Sequence, residues 1–368
     1  MTEPLRIAIV GTGGIARTHA RAIADAGTAL AEAGGQGARL VAVMDIDEER
    51  LGSFASEFGV KDAYGSLDDL LAKGRPDLVH VCTPPSAHVG PALGCLRAGV
   101  SVLVEKPPTI SLREIDELAA AEGADGNGPW FATVFQHRFG SGQRRLKALL
   151  ASGVLGRPLF AVCHTTWYRS QEYFDVPWRG NWDTEGGGPT MGHGIHQMDM
   201  LLDALGEWTQ VSALASTQAR VMATEDLSLA HVRFANGAIA SVVNSVLSPR
   251  EESYLRFDFE RATVEVTHLY GYDDGDWRVT PLPEYAGEIT QAWTDAEHGT
   301  RSGHAAQFRH IFAALADGKR PPVRPDDARA TMALVAGIYA SAFTGKPVIP
   351  EDLDPGTPFY GQMNGERQ

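Results

Sequence analysis

Cysteine is nearly absent from this 368-residue chain: Cys82, Cys95 and Cys163 are the whole supply, far apart and embedded in apolar runs. Three scattered thiols provide neither a disulfide framework nor a CxxC metal clip, so a reducing compartment is expected. Long hydrophobic runs are missing too. No stretch reaches the length of a membrane span. The apolar segment near the start, LRIAIV at 5–10, runs straight into glycines and is too short for a signal peptide's core. Positive charge is also scarce, with 32 Lys and Arg against 46 Asp and Glu and a formal net charge of −14. Such a surface repels phosphate backbones and anionic lipid headgroups, which excludes nucleic acid and membrane surfaces as expected partners and leaves a cytoplasmic protein. Low-complexity tracts do not occur; the 40 Gly and 21 Pro are dispersed, and 43% of residues are hydrophobic. That is the texture of a globular protein, and the length calls for two domains.

What is present begins with a repeated pattern. LRIAIV at 5–10, RLVAVMD at 39–45, DLVHVCTP at 77–84 and VSVLVEKP at 100–107 are apolar runs separated by stretches of helical periodicity. Continuous apolar runs alternating with helices predict a doubly wound parallel sheet, an α/β Rossmann-type domain over residues 1–130. FATVFQHRF at 131–139 closes that sheet. Beyond it the segments alternate apolar and polar residues, as antiparallel strands with one wet face do. Asn236-Gly237 supplies a hairpin turn between LAHVRFA and AIASVVNSV. Residues 131–368 therefore read as an α+β domain with a large, mostly antiparallel open sheet. Its helical stretches at about 303–317 and 327–345 are candidates to pack back on the first domain. An open sheet with one uncovered face would need burial, most simply in a homodimer or homotetramer.

Gly11, Gly13 and Ala16 form G-x-G-x-x-A between the first strand and the first helix, with Gly14 and Ile15 inside the loop. In that context the first glycine permits the tight turn and the second lets backbone approach a pyrophosphate. The small third residue lets helix and strand close up at the positive end of the helix dipole. Asp45 ends the second strand, where a carboxylate accepts hydrogen bonds from adenosine ribose hydroxyls and repels a 2′-phosphate. NAD is therefore expected over NADP. The separation from the loop is longer than usual, and GTALAEAGGQGA at 27–38 reads as the insertion responsible. Asp47 is the better candidate for the cap of the following helix.

Three further stretches carry a resemblance. Thr83-Pro84-Pro85 with His88, Glu105-Lys106-Pro107, and GGGPTMGHGIHQMD at 186–199 occur in the order and spacing of the Gfo/Idh/MocA oxidoreductases, from the phosphate loop to about residue 205. The resemblance implies a Rossmann domain followed by an open-sheet domain and substrates among sugars, polyols and their derivatives. It adds Thr83, Pro84, His88, Glu105 and Lys106 to the cofactor side, and places Lys106 and His196 beside the nicotinamide and the reacting carbinol. The chemistry agrees, because hydride loss from a secondary alcohol needs a base for the hydroxyl proton and a cation for the developing alkoxide. His196 is the favoured base and Lys106 the electrostatic anchor, with proton transfer by Lys106 the alternative. Many relatives carry an aspartate four residues before this histidine; here the position is Gly192. His193 would fill the space, or Asp183 or Glu185 would reach in.

Between 164 and 183 the sequence HTTWYRSQEYFDVPWRGNWD is rich in aromatic rings and arginine. Aromatic faces pack on sugar C–H faces, and arginine forks bind hydroxyls or carboxylates. Tyr168, Trp178 and Arg179 are the first choices for substrate contact, joined by Arg138, His193 and Asp199. A subunit interface would be enriched in the same residues. No metal is expected, although His193, His196 and Asp199, aided by His137 or His164, offer ligand chemistry for zinc. Two other readings retain the dinucleotide. One is a redox-neutral enzyme that oxidises a sugar carbon transiently to eliminate a glycoside; the other is a non-catalytic sensor, against which Lys106 and His196 together argue.

Overall fold

The computed structural model describes residues 3–123 and 128–366. Within them the chain divides into two compact units. The first comprises residues 1–109, 114–134 and 304–328; the second comprises 110–113, 135–303 and 329–368.

In the first unit, β1 (Leu5–Val10), β2 (Ala38–Met44), β3 (Asp62–Tyr64), β4 (Leu78–Val81), β5 (Ser101–Val104) and β6 (Phe131–Thr133) form one sheet in the order β3-β2-β1-β4-β5-β6. Every pairing is parallel, so the order reverses between β1 and β4. In such sheets that reversal opens a crevice at the carboxyl ends of the strands, where ligands bind. The central strands are buried along their whole length, which is why they read as unbroken apolar runs. β4 ends at Val81 and β5 at Val104, so Cys82-Thr83-Pro84 and Glu105-Lys106-Pro107 stand in the loops after them. Helix α1 (Gly14–Glu32) follows β1, α2 (Glu48–Phe58) follows β2 and α3 (Val89–Arg97) follows β4. Asp47 caps α2 by accepting the Arg50 backbone N–H.

A later stretch of chain completes this core. Phe308, Ile311 and Phe312, fully buried, pack with Ile7, Ile9, Ile23 and Leu103. They lie on the helix His304–Ala316.

The second unit is built on β7 (Pro158–Tyr168), β8 (Trp208–Ser216), β9 (Leu227–Phe234), β10 (Ile239–Ser245), β11 (Leu247–Phe259), β12 (Ala262–His268) and β13 (Trp277–Pro281), in the order β13-β12-β11-β7-β10-β9-β8. All neighbours are antiparallel except β7 with β10. Asn236-Gly237 makes the turn between β9 and β10, with Gly237 at φ +89°, a conformation that favours glycine. Strict alternation along β7 puts Ala161, Cys163, Thr165 and Trp167 on the buried face. A broken helical segment covers that face: α4 (Pro189–Gly192) and α5 (Ile195–Leu205), joined by two residues in helical conformation. Trp167 is thus part of the core, its Nε1 donating to Ser253 Oγ at 3.0 Å. All three cysteines are free and buried. Among the described residues no helix is long and apolar enough to cross a membrane.

Candidate functional site

The glycine loop has the shape its sequence predicts. Gly11 adopts φ +88°, and a Cβ there would lie 2.8 Å from the Cys82 carbonyl carbon and the Thr83 nitrogen. Any other residue would collide with the loop after β4. Gly13 and Gly14 are different: a Cβ on either would meet nothing within 4 Å. Their backbone faces open space. Helix α1 begins at Gly14 with no side-chain cap, so its first N–H groups are left to bind an anion. Ala16 is fully buried and Ile15 packs on the strand core, which fixes the loop from behind. The residues present therefore fit a dinucleotide pyrophosphate.

Asp45 stands just after β2, buried, with both oxygens engaged. Oδ2 accepts from Thr12 N at 2.7 Å, Thr12 Oγ1 at 2.8 Å and Arg50 Nε at 3.0 Å; Oδ1 accepts from Asp47 N and from Arg50 Nη2, each at 3.0 Å. Burial alone would raise its pKa, but the Arg50 guanidinium and the Thr12 and Asp47 donors hold the carboxyl well below the usual range.

His88 and Glu105 lie behind the loops. His88 is buried with Nδ1 2.9 Å from the Pro107 oxygen and Nε2 2.8 Å from the Thr83 oxygen, so it ties the loop after β4 to the loop after β5. Thr83 Oγ1 in turn donates to the Ala87 carbonyl at 3.0 Å, closing the turn that Pro84 opens. Glu105 Oε2 accepts the Lys106 backbone N–H at 2.9 Å, while Oε1 receives His19 Nε2 at 2.8 Å and His304 Nε2 at 3.0 Å. Assigned to the cofactor side from the sequence, both residues position the loops that would meet it, because each has its polar atoms turned to protein partners. Burial lowers the pKa of His19 and, more strongly, of His80, whose Nδ1 lies 3.0 Å from His19 Nδ1. Burial opposes ionisation of Glu105, but the bonds from His19 and His304 outweigh it and hold that carboxyl well below its usual value. With His19 neutral, the tautomers follow: His19 donates from Nε2 and accepts at Nδ1 from His80. This group also offers three metal-ligand atoms within 4.8 Å of one another. Its 2.8 and 3.0 Å contacts are hydrogen-bond lengths, tighter than the ~3.3 Å between ligand atoms on a tetrahedral zinc.

In the second unit, the Gly-rich segment is fixed by a buried carboxylate. Glu225 accepts the backbone N–H of Gly188 and of Thr190, each at 3.0 Å, and the Tyr339 hydroxyl at 2.9 Å. A Cβ on Gly188 would lie 1.9 Å from the Glu225 carbonyl oxygen, so only glycine passes there. His196, on α5, is buried with its ring centroid 4.9 Å from that of His137 and 5.8 Å from that of Tyr270. His193 packs against Trp167, centroids 5.3 Å apart, and its Nε2 lies 3.4 Å from the Tyr173 hydroxyl. Arg179 stacks over Tyr173 at 3.8 Å and Trp178 at 4.4 Å. The structure thus brings His193, Tyr173, Trp178 and Arg179 into one aromatic cluster beside α4 and α5.

Three of the substrate assignments change. Arg138 and Asp199 engage each other through a two-pronged pair, Nε–Oδ2 at 2.8 Å and Nη2–Oδ1 at 2.6 Å, with Thr331 Oγ1 also on Asp199. A guanidinium paired in this way with a buried carboxylate is a brace between the Gln136–Phe139 turn and α5. Tyr168 follows Trp167 on β7, and successive strand residues point to opposite faces. It is 43% exposed on the face away from His193, under Arg220. Asp199's engagement also removes it from the candidate zinc set with His193 and His196.

At Gly192 the structure is specific. A Cβ there would sit 3.3 Å from Glu185 Oε1. Glu185 is buried, with Oε2 accepting the Gly180 N–H at 2.6 Å, whereas Asp183 is exposed. Of the candidates to fill the space, Glu185 is the carboxylate that does. The sequence groups His137 with the two histidines only as an auxiliary zinc ligand and does not mark Tyr173 or Tyr270 as their neighbours. Each comes from a segment far away in the chain, and only the packing brings them together.

Comparison with known proteins identifies the family and the fold. Residues 5–128 match the model of the "oxidoreductase family, NAD-binding Rossmann fold" and residues 143–281 that of the "GFO/IDH/MocA C-terminal domain". The chain is similar to D-glucoside 3-dehydrogenase of Escherichia coli, 28% identical over 94% of this chain and 98% of that protein. It is also similar to inositol 2-dehydrogenase of Rubrobacter xylanophilus, 26% identical over 97% and 96%. Among solved structures it resembles the WlbA dehydrogenase of Bordetella pertussis in complex with NADH and UDP-GlcNAcA, at 26% identity, TM-score 0.79, and 94% and 98% coverage.

Proposed function

Because the chain belongs to the Gfo/Idh/MocA family of NAD-binding oxidoreductases, we propose that it oxidises a secondary hydroxyl of a sugar, a cyclic polyol or a glycoside. The observation that carries this reading lies in the first unit. The open Gly13-Gly14 backbone, Asp45, Thr83 and Lys106 all follow the carboxyl ends of their strands in one parallel sheet. Lys106 is held by the buried Glu105 carboxylate through its own backbone N–H. Bound NAD would accept the hydride.

The chain's own side chains would manage the proton and the charge. His196 takes the hydroxyl proton as hydride leaves the same carbon, and Lys106 steadies the alkoxide that develops on the oxygen. The carbinol becomes a ketone, and one proton is released. His193, Trp178 and Arg179 are the candidate substrate contacts, since rings and a guanidinium suit sugar C–H faces and hydroxyls. D-glucoside 3-dehydrogenase and inositol 2-dehydrogenase, the names of two relatives, support this substrate class. We read the protein as cytoplasmic, in line with three free buried thiols, and as a homodimer or homotetramer closed through the exposed face of the second sheet.

The test is a panel of sugars, inositols, sugar acids and glycosides with NAD, following NADH absorbance, with Lys106→Ala as the paired control. A substrate that reduces NAD with the native protein and at least about 100-fold more slowly with the variant supports the dehydrogenase. Silence across the panel with NAD binding intact would overturn it in favour of the redox-neutral enzyme or the sensor.

A further inference from the structure

Asp45 carries more hydrogen-bond donors than a carboxylate ordinarily accommodates. Two carboxylate oxygens offer about four lone-pair sites, yet the Thr12 N–H, the Thr12 hydroxyl, the Asp47 N–H and two Arg50 N–H groups all point at them. An adenosine ribose diol must displace one of these to bond with Asp45. Two of the donors are backbone and cannot leave without unravelling the glycine loop or the start of α2. The Thr12 hydroxyl belongs to a fully buried side chain. Arg50 alone is free to move: its side chain is 46% exposed, and it is anchored on the first turn of α2.

From this arrangement we propose that Arg50 sets the choice between NAD and NADP. Paired with Asp45, the guanidinium competes with the ribose hydroxyls of NAD and weakens NAD binding. Displaced from Asp45, it remains tethered beside the same ribose, always charged, with a planar fork that matches a phosphate. A 2′-phosphate there would be repelled by Asp45 and attracted by Arg50, so the two side chains largely cancel. The chain therefore uses both dinucleotides, although a strand-end aspartate by itself predicts NAD alone. This inference rests on the dinucleotide reading of the glycine loop.

Direct binding tests it without any substrate. Dissociation constants for NAD and NADP would be measured by calorimetry on the native chain, on Arg50→Gln and on Arg50→Lys, with thermal melting to establish that each variant is folded. The native chain is expected to bind both within about tenfold of each other. Arg50→Gln should bind NAD several-fold tighter and NADP at least tenfold weaker, and Arg50→Lys, which keeps the charge without the fork, should fall between. An unchanged ratio of the two constants in Arg50→Gln would overturn the role of Arg50 while leaving dinucleotide binding in place. Failure of the native chain to bind either dinucleotide would overturn both.

Discussion

Glycine at 192 and glutamate at 185 form one unit of chemistry written at two places in the chain. Gly192 ends α4 and His196 stands in the first turn of α5, four residues on across the break between the two helices. The Glu185 carboxylate occupies the space above Gly192, four residues before His196 in the chain. On the proposed reaction it accepts a substrate hydroxyl or steadies the proton held by His196. Replacing Glu185 with Gln should lower kcat/KM by about ten- to a hundredfold, with the dissociation constant for NAD unchanged. Gly192→Asp alone should do at least as much harm, because its carboxylate would be forced against that of Glu185. Combining Gly192→Asp with Glu185→Ala should recover part of the loss. Steady-state kinetics on the three variants decide it; a double variant no better than either single one would refute the exchange. The tight turn at Gly11 and the open backbone at Gly13 were legible because their geometry follows from a strand–turn–helix context only a few residues long. Arg138 and Asp199 were not, since nothing in a sequence says that two residues 61 apart will satisfy each other. Tyr168 misled because one position along a strand changes which face a ring serves.

At the scale of elements, the buried histidines join four pieces of the first unit: His19 on α1, His80 on β4, Glu105 after β5 and His304 at the start of the late helix His304–Ala316. The consequence is a pH dependence of stability whose sign can be worked out. His19 and His80 have depressed pKa values, chiefly through burial, so they stay neutral in the fold at pH values where an unfolded chain protonates them. Their contribution is present above about pH 6.5 and is lost as the pH falls below it, by up to about 1.4 kcal/mol per pH unit for each group. Glu105, also depressed, adds a loss that begins only near the ordinary carboxylate range, about pH 4.5. Thermal midpoints of the native chain should therefore decline between pH 7 and 5. His80→Phe, whose ring would sit among Phe308 and Phe312, should start lower because His19 loses a partner, yet decline less steeply. An equal slope in the two proteins would show that His80 is not one of the groups responsible. The helix His304–Ala316 was visible as a helix from its periodicity; its place in the core with Ile7, Ile9 and Ile23 comes from contacts nearly 300 residues apart. Local pattern carries no such information.

For the molecule as a whole, the alternation of polar and apolar residues correctly announced an open, mostly antiparallel sheet. Its strand order, and the parallel pairing of β7 with β10, depended on registers between distant segments that alternation leaves undetermined. The same alternation bears on assembly. Across the outward face, Leu214 pairs with Leu229, Leu229 with Val243, Val243 with His164 and His164 with Tyr254, an apolar and aromatic row spanning five strands. Leu214 is 71% and Leu229 44% exposed; the next row holds Val162 and Ser241, and Ile239 and Phe160 follow one row further on. Soluble monomers rarely leave a contiguous apolar band of that extent in water. A two-fold partner presenting the same band would cover it, with about 800 Å² on each side as the usual requirement for a stable pair. Arg233, Arg256 and Asp258 lie in the flanking rows and carry both signs of charge, as a self-complementary surface requires. Light scattering of the native chain should give a mass at least twice 39.5 kDa. Leu214→Glu with Leu229→Glu would place four carboxylates in the centre of each two-fold contact, and the desolvation that demands should return the protein to a monomer that keeps its thermal unfolding transition. A native monomer would refute the assembly, and an unchanged oligomer in the double variant would place the contact on another surface.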